Sequence, residues 1–324
     1  MVSSDVEAPT LSVIIPTRNR VASLRETLDG FARQETAGAF TYELLVVDNG
    51  STDGTREMIE GLRAAFPVAL RYVYEARCGI PWARNAGLRH SRGSILVMAD
   101  DDVVTTPGLL QAFWSCFLEE RADGVTGRTL PLWSVPRPAW FTDELIKRGE
   151  TGCMDRGPSR LRSTERRNCR WVGGNMAIRR DVIDRVGLFD TRMLRGEDTD
   201  YYTRCVGQGL KVVYEPQAIV YHKIGADRTT PAYFRRWRRM TGSYHAYALP
   251  WRKYHLITVM PASWYRHTLG FAMGWLRKWI TRRPWIERFQ DEMKLHEHAG
   301  MLGRRLTLWP RWCLTVLSGR SYLP

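Results

Sequence analysis

An α/β fold is what this sequence predicts: a mostly parallel sheet flanked by helices, followed by a helical, basic, tryptophan-rich extension. Three observations carry the prediction. Short apolar runs alternate with helical patterns through the first part of the chain, which is the signature of βαβ units. The runs are continuously apolar, as strands covered on both faces must be. The charge is also split. Residues 1–225 hold 30 Lys and Arg against 29 Asp and Glu, whereas residues 226–324 hold 18 against 5 together with 8 of the 13 tryptophans. A nearly neutral body over 1–225 and a basic region over 226–324 follow from that division.

The elements can be placed in order. Leu11-Ser12-Val13-Ile14-Ile15-Pro16 is a strand closed by proline, and the Leu24, Leu28, Phe31 spacing marks a helix over residues 21–33. Tyr42 to Val47 is a second strand, ended by Asp48 and the turn-rich "DNGSTDGT", where residues 51–53 can cap a helix over 55–66. A third strand follows over 68–74 and a helix over 81–90. The run Ile95 to Ala99 makes the fourth strand, which ends in Asp100, Asp101 and Asp102, and residues 107–118 form a helix. Residues 120–170, rich in Pro, Arg and Gly, read as loops. "WVGGNMAIRRDVIDRVGLFD" reads as a strand and then a helix over 180–186. "LRGEDTDYYTRCVGQGL" reads as a loop opening into a helix, and 212–214 and 218–222 read as closing strands.

Composition excludes several classes. Hydrophobic content of 44% and charged content of 25% are those of a globular chain. The N-terminus "MVSSDVEAPT" shows no basic and apolar signal pattern, and six scattered cysteines without a CxxC pair read as reduced thiols in a cytosolic protein. No apolar run reaches the ~18 residues of a membrane span. No nucleic-acid-binding signature accompanies the basic region, so nucleic acid is not expected as a partner.

The chemistry concentrates at strand ends, where ligands of open α/β sheets bind. Thr17-Arg18-Asn19, Asp48-Asn49 and Asp100-Asp101-Asp102 all fall on one edge of the sheet. A D-x-D spacing can offer two oxygens to one hard cation, or be a solvated acidic turn. Glu197-Asp198 and Asp200 can cap a helix, or supply a general base. His222 can ligate the same ion or be structural, and Asp48 can accept from a base or make an Asx-turn. Arg84 and Asn85 suit a phosphate contact or an exposed helix face. No single motif decides among these readings.

Taken in order, "LSVIIPTRNR", "LLVVDNGSTDGT", "GIPWARNAGLRHSRGSILVMADDDV", "WVGGNMAIRRDVIDRVGLFD" and "RGEDTDYYTRCVGQGLKVVYEPQAIVYH" resemble the family 2 glycosyltransferases, inverting enzymes with the Rossmann-like GT-A fold. The resemblance covers about residues 10–225. It implies that Pro16, Thr17, Arg18 and Asp48 hold a nucleotide, with Asp48 on the base. Arg84 would meet the ribose or diphosphate, and Asp100 and Asp101 the nucleotide-sugar. Asp100, Asp102 and His222 would bind Mn2+ or Mg2+, with Asp101 pointing away from the ion. Trp171, Gly173, Gly174 and Asn175 would line the sugar and acceptor side, and Asp198, beside Glu197, would be the base. The implied donor is a nucleotide-diphospho-sugar, a UDP-sugar by preference. A nucleotidyltransferase is the enzymatic alternative, but "IIPTRNR" lacks the Gly-rich phosphate loop it would want. An inactive scaffold is the other alternative.

From Trp264 the basic region mixes Leu269, Phe271, Ala272, Met273, Leu276, Trp279 and Ile280 with five Arg and Lys. Such a helix suits the plane of an anionic membrane, or packs as an ordinary helical cap. On the first reading the protein lies peripherally at the cytoplasmic face, and the acceptor is a lipid-linked or cell-envelope glycan.

Overall fold

The computed structural model describes residues 8–143, 146, 152–165, 169–193, 195–248 and 259–317. Most of the N-terminal stretch read for a signal therefore lies outside the described residues. The chain divides into two compact units, residues 1–136 with 142–224, and residues 137–141 with 225–324.

The first unit holds β1 (Leu11–Thr17), α1 (Val21–Ala32), β2 (Tyr42–Asp48), α2 (Thr55–Arg63), β3 (Ala69–Tyr74), α3 (Ile80–His90), β4 (Ile95–Ala99) and β5 (Val103–Thr105). It continues through α4 (Leu109–Glu120), β6 (Gly124–Trp133), β7 (Leu161–Arg162), β8 (Asn175–Arg179), α5 (Asp181–Val186), α6 (Glu197–Gly207) and β9 (Val212–Ile224). The strands form one sheet in the order β3-β2-β1-β4-β8-β6-β9-β5, with β7 against β9. Pairs β2–β3, β1–β2, β1–β4 and β6–β9 are parallel, whereas β8 runs antiparallel to both β4 and β6, and β5 antiparallel to β9.

β1 shows why its sequence is continuously apolar. Leu11, Val13 and Ile15 pack on one face with Leu24, Leu28 and Phe31 of α1 and Phe113 of α4. Ile14 packs on the other face with Ala83 and Leu88 of α3, Trp171 and Tyr201 of α6. Successive side chains point to opposite faces, and both faces carry helices, so no position can be polar without a partner.

Three strands depart from the sequence reading: β6, the short β7 that also lies in the stretch read as loops, and β9. β6 runs for 10 residues through a stretch expected to be loop. Its Gly and Pro content masks it, and its register against β9 shifts between Gly127 and Arg128, where β9 carries the extra residues 216–218. β9 joins two expected strands into a single one of 13 residues.

The second unit holds α7 (Pro231–Ala248), α8 (Ala262–Ile280) and α9 (Trp285–Leu317). Its core is aromatic: Trp140 meets Phe234 at 5.2 Å, Phe289 at 5.5 Å and Trp285 at 5.9 Å, all nearly edge-on. Ion pairs lace the helices, with Arg235–Glu292 at 2.6 Å, Arg238–Glu297 at 3.1 Å and Lys278–Asp291 at 2.8 Å. Among the described residues, no helix is long and apolar enough to cross a membrane.

Candidate active site

The parallel strands β1, β2 and β4 deliver Thr17, Asp48 and Asp100 to one edge of the sheet. β5 then brings in the imidazole. It begins directly after Asp102 and pairs antiparallel with β9 in a register that sets Val103 opposite His222. The Lys223 N–H donates to the Asp102 carbonyl at 3.0 Å and fixes that register beside the acidic turn. Asp100, Asp102 and His222 accordingly form a cluster whose ligand atoms lie within 4.8 Å of one another. Two carboxylates and one imidazole are a donor set that can hold a divalent cation such as Mn2+ or Mg2+.

His222 Nε2 lies 3.2 Å from Asp102 Oδ1. Burial alone would lower the His222 pKa, but contacts with Asp102 and Cys153 outweigh it and raise it to about 10. A cation held there would compete with a proton for the imidazole nitrogen.

Asp101 faces elsewhere. Its carboxylate accepts from Thr17 Oγ1 at 2.7 Å and from Arg20 Nη1 at 3.0 Å. Burial pushes its pKa up to about 6, against the pull of Arg20 and Thr17. The expectation that Asp101 binds the nucleotide-sugar thus meets a buried carboxyl already engaged by the protein. Arg20, which the sequence reading passed over in favour of Arg18, also donates to Asp102 Oδ2 at 2.7 Å. It clamps the second and third carboxylates together. Arg18 is exposed and reaches Cys78.

α3 and α6 meet through a buried pair. Arg84 and Glu197 are hydrogen-bonded, and Arg84 Nη2 lies 3.6 Å from Asp100 Oδ1. Burial raises the Glu197 carboxyl above the ordinary glutamate range, with Arg84 opposing the rise. Neither Arg84 nor Asn85 is on an exposed helix face: Asn85 exchanges two 2.9 Å hydrogen bonds with the Phe189 backbone. Asp198, one residue beyond Glu197, has a different environment. Its Oδ2 accepts the Gly173 N–H at 2.9 Å and its Oδ1 the Thr199 N–H at 2.6 Å, at the first turn of α6.

Gly173 and Gly174 form the floor between these groups. A Cβ on Gly173 would run into the Arg84 guanidinium, and one on Gly174 into the Asp100 carboxylate. Their neighbours in the same segment are core residues. Trp171 is 1% exposed and stacks on Tyr201 with ring centroids 5.7 Å apart. Asn175 is buried, its Nδ2 donating to the carbonyls of Arg128 at 3.1 Å and Ala218 at 3.0 Å, where it ties down the β6–β9 irregularity. Trp171 and Asn175 are thus both buried within the protein, and the sugar-side role implied for them rests on the resemblance alone.

At the end of β2, Asp48 accepts from the Ser51 N–H and the Tyr72 hydroxyl, both at 2.8 Å. With Ser51, Thr52, Arg56, Tyr72 and Tyr74 it borders a cavity of about 330 Å³. Pro16 pairs with Val47 in the sheet beneath.

A family model for glycosyl transferase family 2 matches residues 12–187, more than half of the chain. The chain belongs to this family. Among curated family 2 glycosyltransferases and their relatives it is similar to glycosyltransferase AglE of Haloferax volcanii, 28% identical over 219 residues, 66% of this chain and 67% of that one. It is similar as well to the glucosyl-dolichyl phosphate glucuronosyltransferase of Haloferax volcanii, 28% identical over 234 residues, 68% of this chain and 71% of that one. A comparable fold is found in mannosyltransferase PcManGT of Pyrobaculum calidifontis, solved with GDP-Man and Mn2+, with a TM-score of 0.54 at 19% identity over 97% of this chain and 80% of the other. The family 2 glycosyltransferase described here accordingly has the GT-A fold.

Proposed function

We propose that this glycosyltransferase inverts the anomeric configuration of a sugar as it moves it from a nucleotide-diphospho-sugar, preferably a UDP-sugar, to an acceptor hydroxyl, with Asp198 as the base. One observation carries the reading. Asp198 and the Asp100–Asp102–His222 cluster meet the same pair of glycines, the first bonded to the Gly173 backbone and the second reaching Gly174 through Asp100. A proton acceptor and one of the candidate cation ligands are thereby brought to adjacent residues of one loop, with Arg84 close to both.

A Mn2+ or Mg2+ held by Asp100, Asp102 and His222 would neutralise charge on the leaving diphosphate. Asp198 accepts the hydroxyl proton as the acceptor oxygen bonds to the anomeric carbon and the carbon–oxygen bond to the diphosphate breaks. The two backbone N–H donors keep Asp198 oriented for that transfer. Glu197 is spent on Arg84, so it positions α6 against α3 and is not a second base. The cavity beside Asp48 suits the nucleoside, with Asp48 and Ser51 as hydrogen-bonding groups and Tyr72 and Tyr74 as apolar walls.

The relative that acts on a dolichyl phosphate supports a lipid-linked acceptor, and the neighbour solved with GDP-Man and Mn2+ supports a nucleotide-sugar and this cation. The excess of basic residues over 226–324 supports peripheral contact with an anionic membrane at its cytoplasmic face. On this reading residues 1–225 form the nucleotide-sugar-binding catalytic domain, and residues 226–324 serve acceptor or membrane.

A thermal-shift panel of nucleotide-sugars with and without Mn2+ identifies the donor. With that donor, Asp198→Asn is expected to lose transfer by at least ~10³-fold while retaining Mn2+-dependent donor binding. Near-normal turnover in this variant refutes the base assignment.

A further inference from the structure

α8 has two apolar faces, and its own bundle covers only one. On the inner face Trp264 stacks on His298 at 5.1 Å, Phe271 meets the same ring at 5.4 Å, and Thr268 Oγ1 lies 2.6 Å from His298 Nδ1. On the outer face Tyr265, Leu269, Met273, Leu276, Trp279 and Ile280 are between 43% and 65% exposed. Their steps of one, three and four residues place them on one stripe along the helix. A soluble helix normally gives that face to polar residues.

The stripe is bordered by positive charge. Residues 262–283 contain five Lys and Arg and no Asp or Glu. Lys278 is paired with Asp291 at 2.8 Å. Arg266 and Arg277 lie along one edge of the stripe, Arg282 and Arg283 follow it, and all four are exposed.

We propose that the outer stripe of α8 is a membrane-docking surface that seats in the headgroup–acyl boundary of an anionic bilayer. This rests on the reading that the basic region contacts such a membrane, and it names the surface. Charge complementarity selects this occupant. Two copies of the stripe brought face to face would oppose like charges, whereas anionic headgroups at the edge of an apolar layer match both the stripe and its border. The 19-residue helix carries too much charge to cross the bilayer, so it lies in the plane of the interface.

The test is flotation of the full-length protein with vesicles of phosphatidylcholine alone and of phosphatidylcholine with about a third phosphatidylglycerol. The protein is expected to float with the anionic vesicles only, and to be released by high salt. Leu269→Glu/Met273→Glu/Ile280→Glu should abolish flotation. Arg277→Glu/Arg282→Glu/Arg283→Glu should weaken it by more than about tenfold. Both variants should keep wild-type far-ultraviolet circular dichroism and thermal unfolding, because the substituted side chains face outward. Asp198→Asn should float like wild type, so failure of the docking surface and failure of the catalytic reading are separable. A folded protein that ignores anionic vesicles overturns the proposal, as does flotation unaffected by the apolar triple variant. A dimer in light scattering that this triple variant dissolves would show that a second copy covers the stripe, and overturns it equally.

Discussion

Two adjacent carboxylates at the start of α6 have opposite fates. Glu197 is buried against Arg84, whereas Asp198 is held open by two backbone donors. The glycines beneath them are set by close approach, and this yields a prediction. Gly174→Ala drives a methyl group into Asp100 and is expected to weaken Mn2+ binding by about tenfold or more while leaving the fold intact. Titration calorimetry with the cation, alongside thermal unfolding, checks it; unchanged affinity would mean that Asp100 is not a ligand. At this scale the sequence showed residues that stand at strand ends, such as Asp48, Asp100 and Asp102, because the end of an apolar run is visible in one dimension. Arg20 and Cys153 were not legible. Each acts by meeting a residue far along the chain, and no local pattern marks an arginine that will clamp two carboxylates or a cysteine that will meet an imidazole.

Among the elements, the parallel half of the sheet was plain in the sequence and the far half was not. β1, β2 and β4 are mostly apolar runs, whereas β6 carries Gly and Pro, which weaken the strand signal in one dimension although Pro131 pairs in register with His222. The segment before β8 is hard to read for another reason. The resemblance implies that Trp171 lines the sugar and acceptor side, and side-chain type alone does not reveal which way a residue faces. Here Trp171 fills the core beside Tyr201 and above Gly124. Trp171→Ala is therefore expected to cost about 3–5 kcal/mol in denaturant unfolding, and Trp171→Phe clearly less, with activity lost only as folded protein is lost. A Trp171→Ala protein of unchanged stability but weaker donor or acceptor binding would return this residue to the site.

For the molecule as a whole, electrostatics divides the labour. In the helical unit Glu297 receives His245, Arg238 and Lys294. Burial pushes its carboxyl up, but these partners outweigh burial and lower the pKa from 4.5 to about 2. A depressed carboxyl stabilises the fold fully above its unfolded value and loses that contribution as pH falls from about 4.5 toward 2. Wild type should thus lose more stability than Glu297→Gln between about pH 6 and pH 3, which thermal unfolding across that range would show. In the first unit Arg20 bridges Asp101 and Asp102 while His222 lies against Asp102, so the acidic turn brings its own counter-charge. Chelation with EDTA is expected to move the melting temperature only by the small mass-action amount that a bound ion contributes, with no loss of the folded state. On the proposed metal-assisted reading, an enzyme built this way would keep its fold in a cation-poor medium and could exchange one divalent ion for another without refolding.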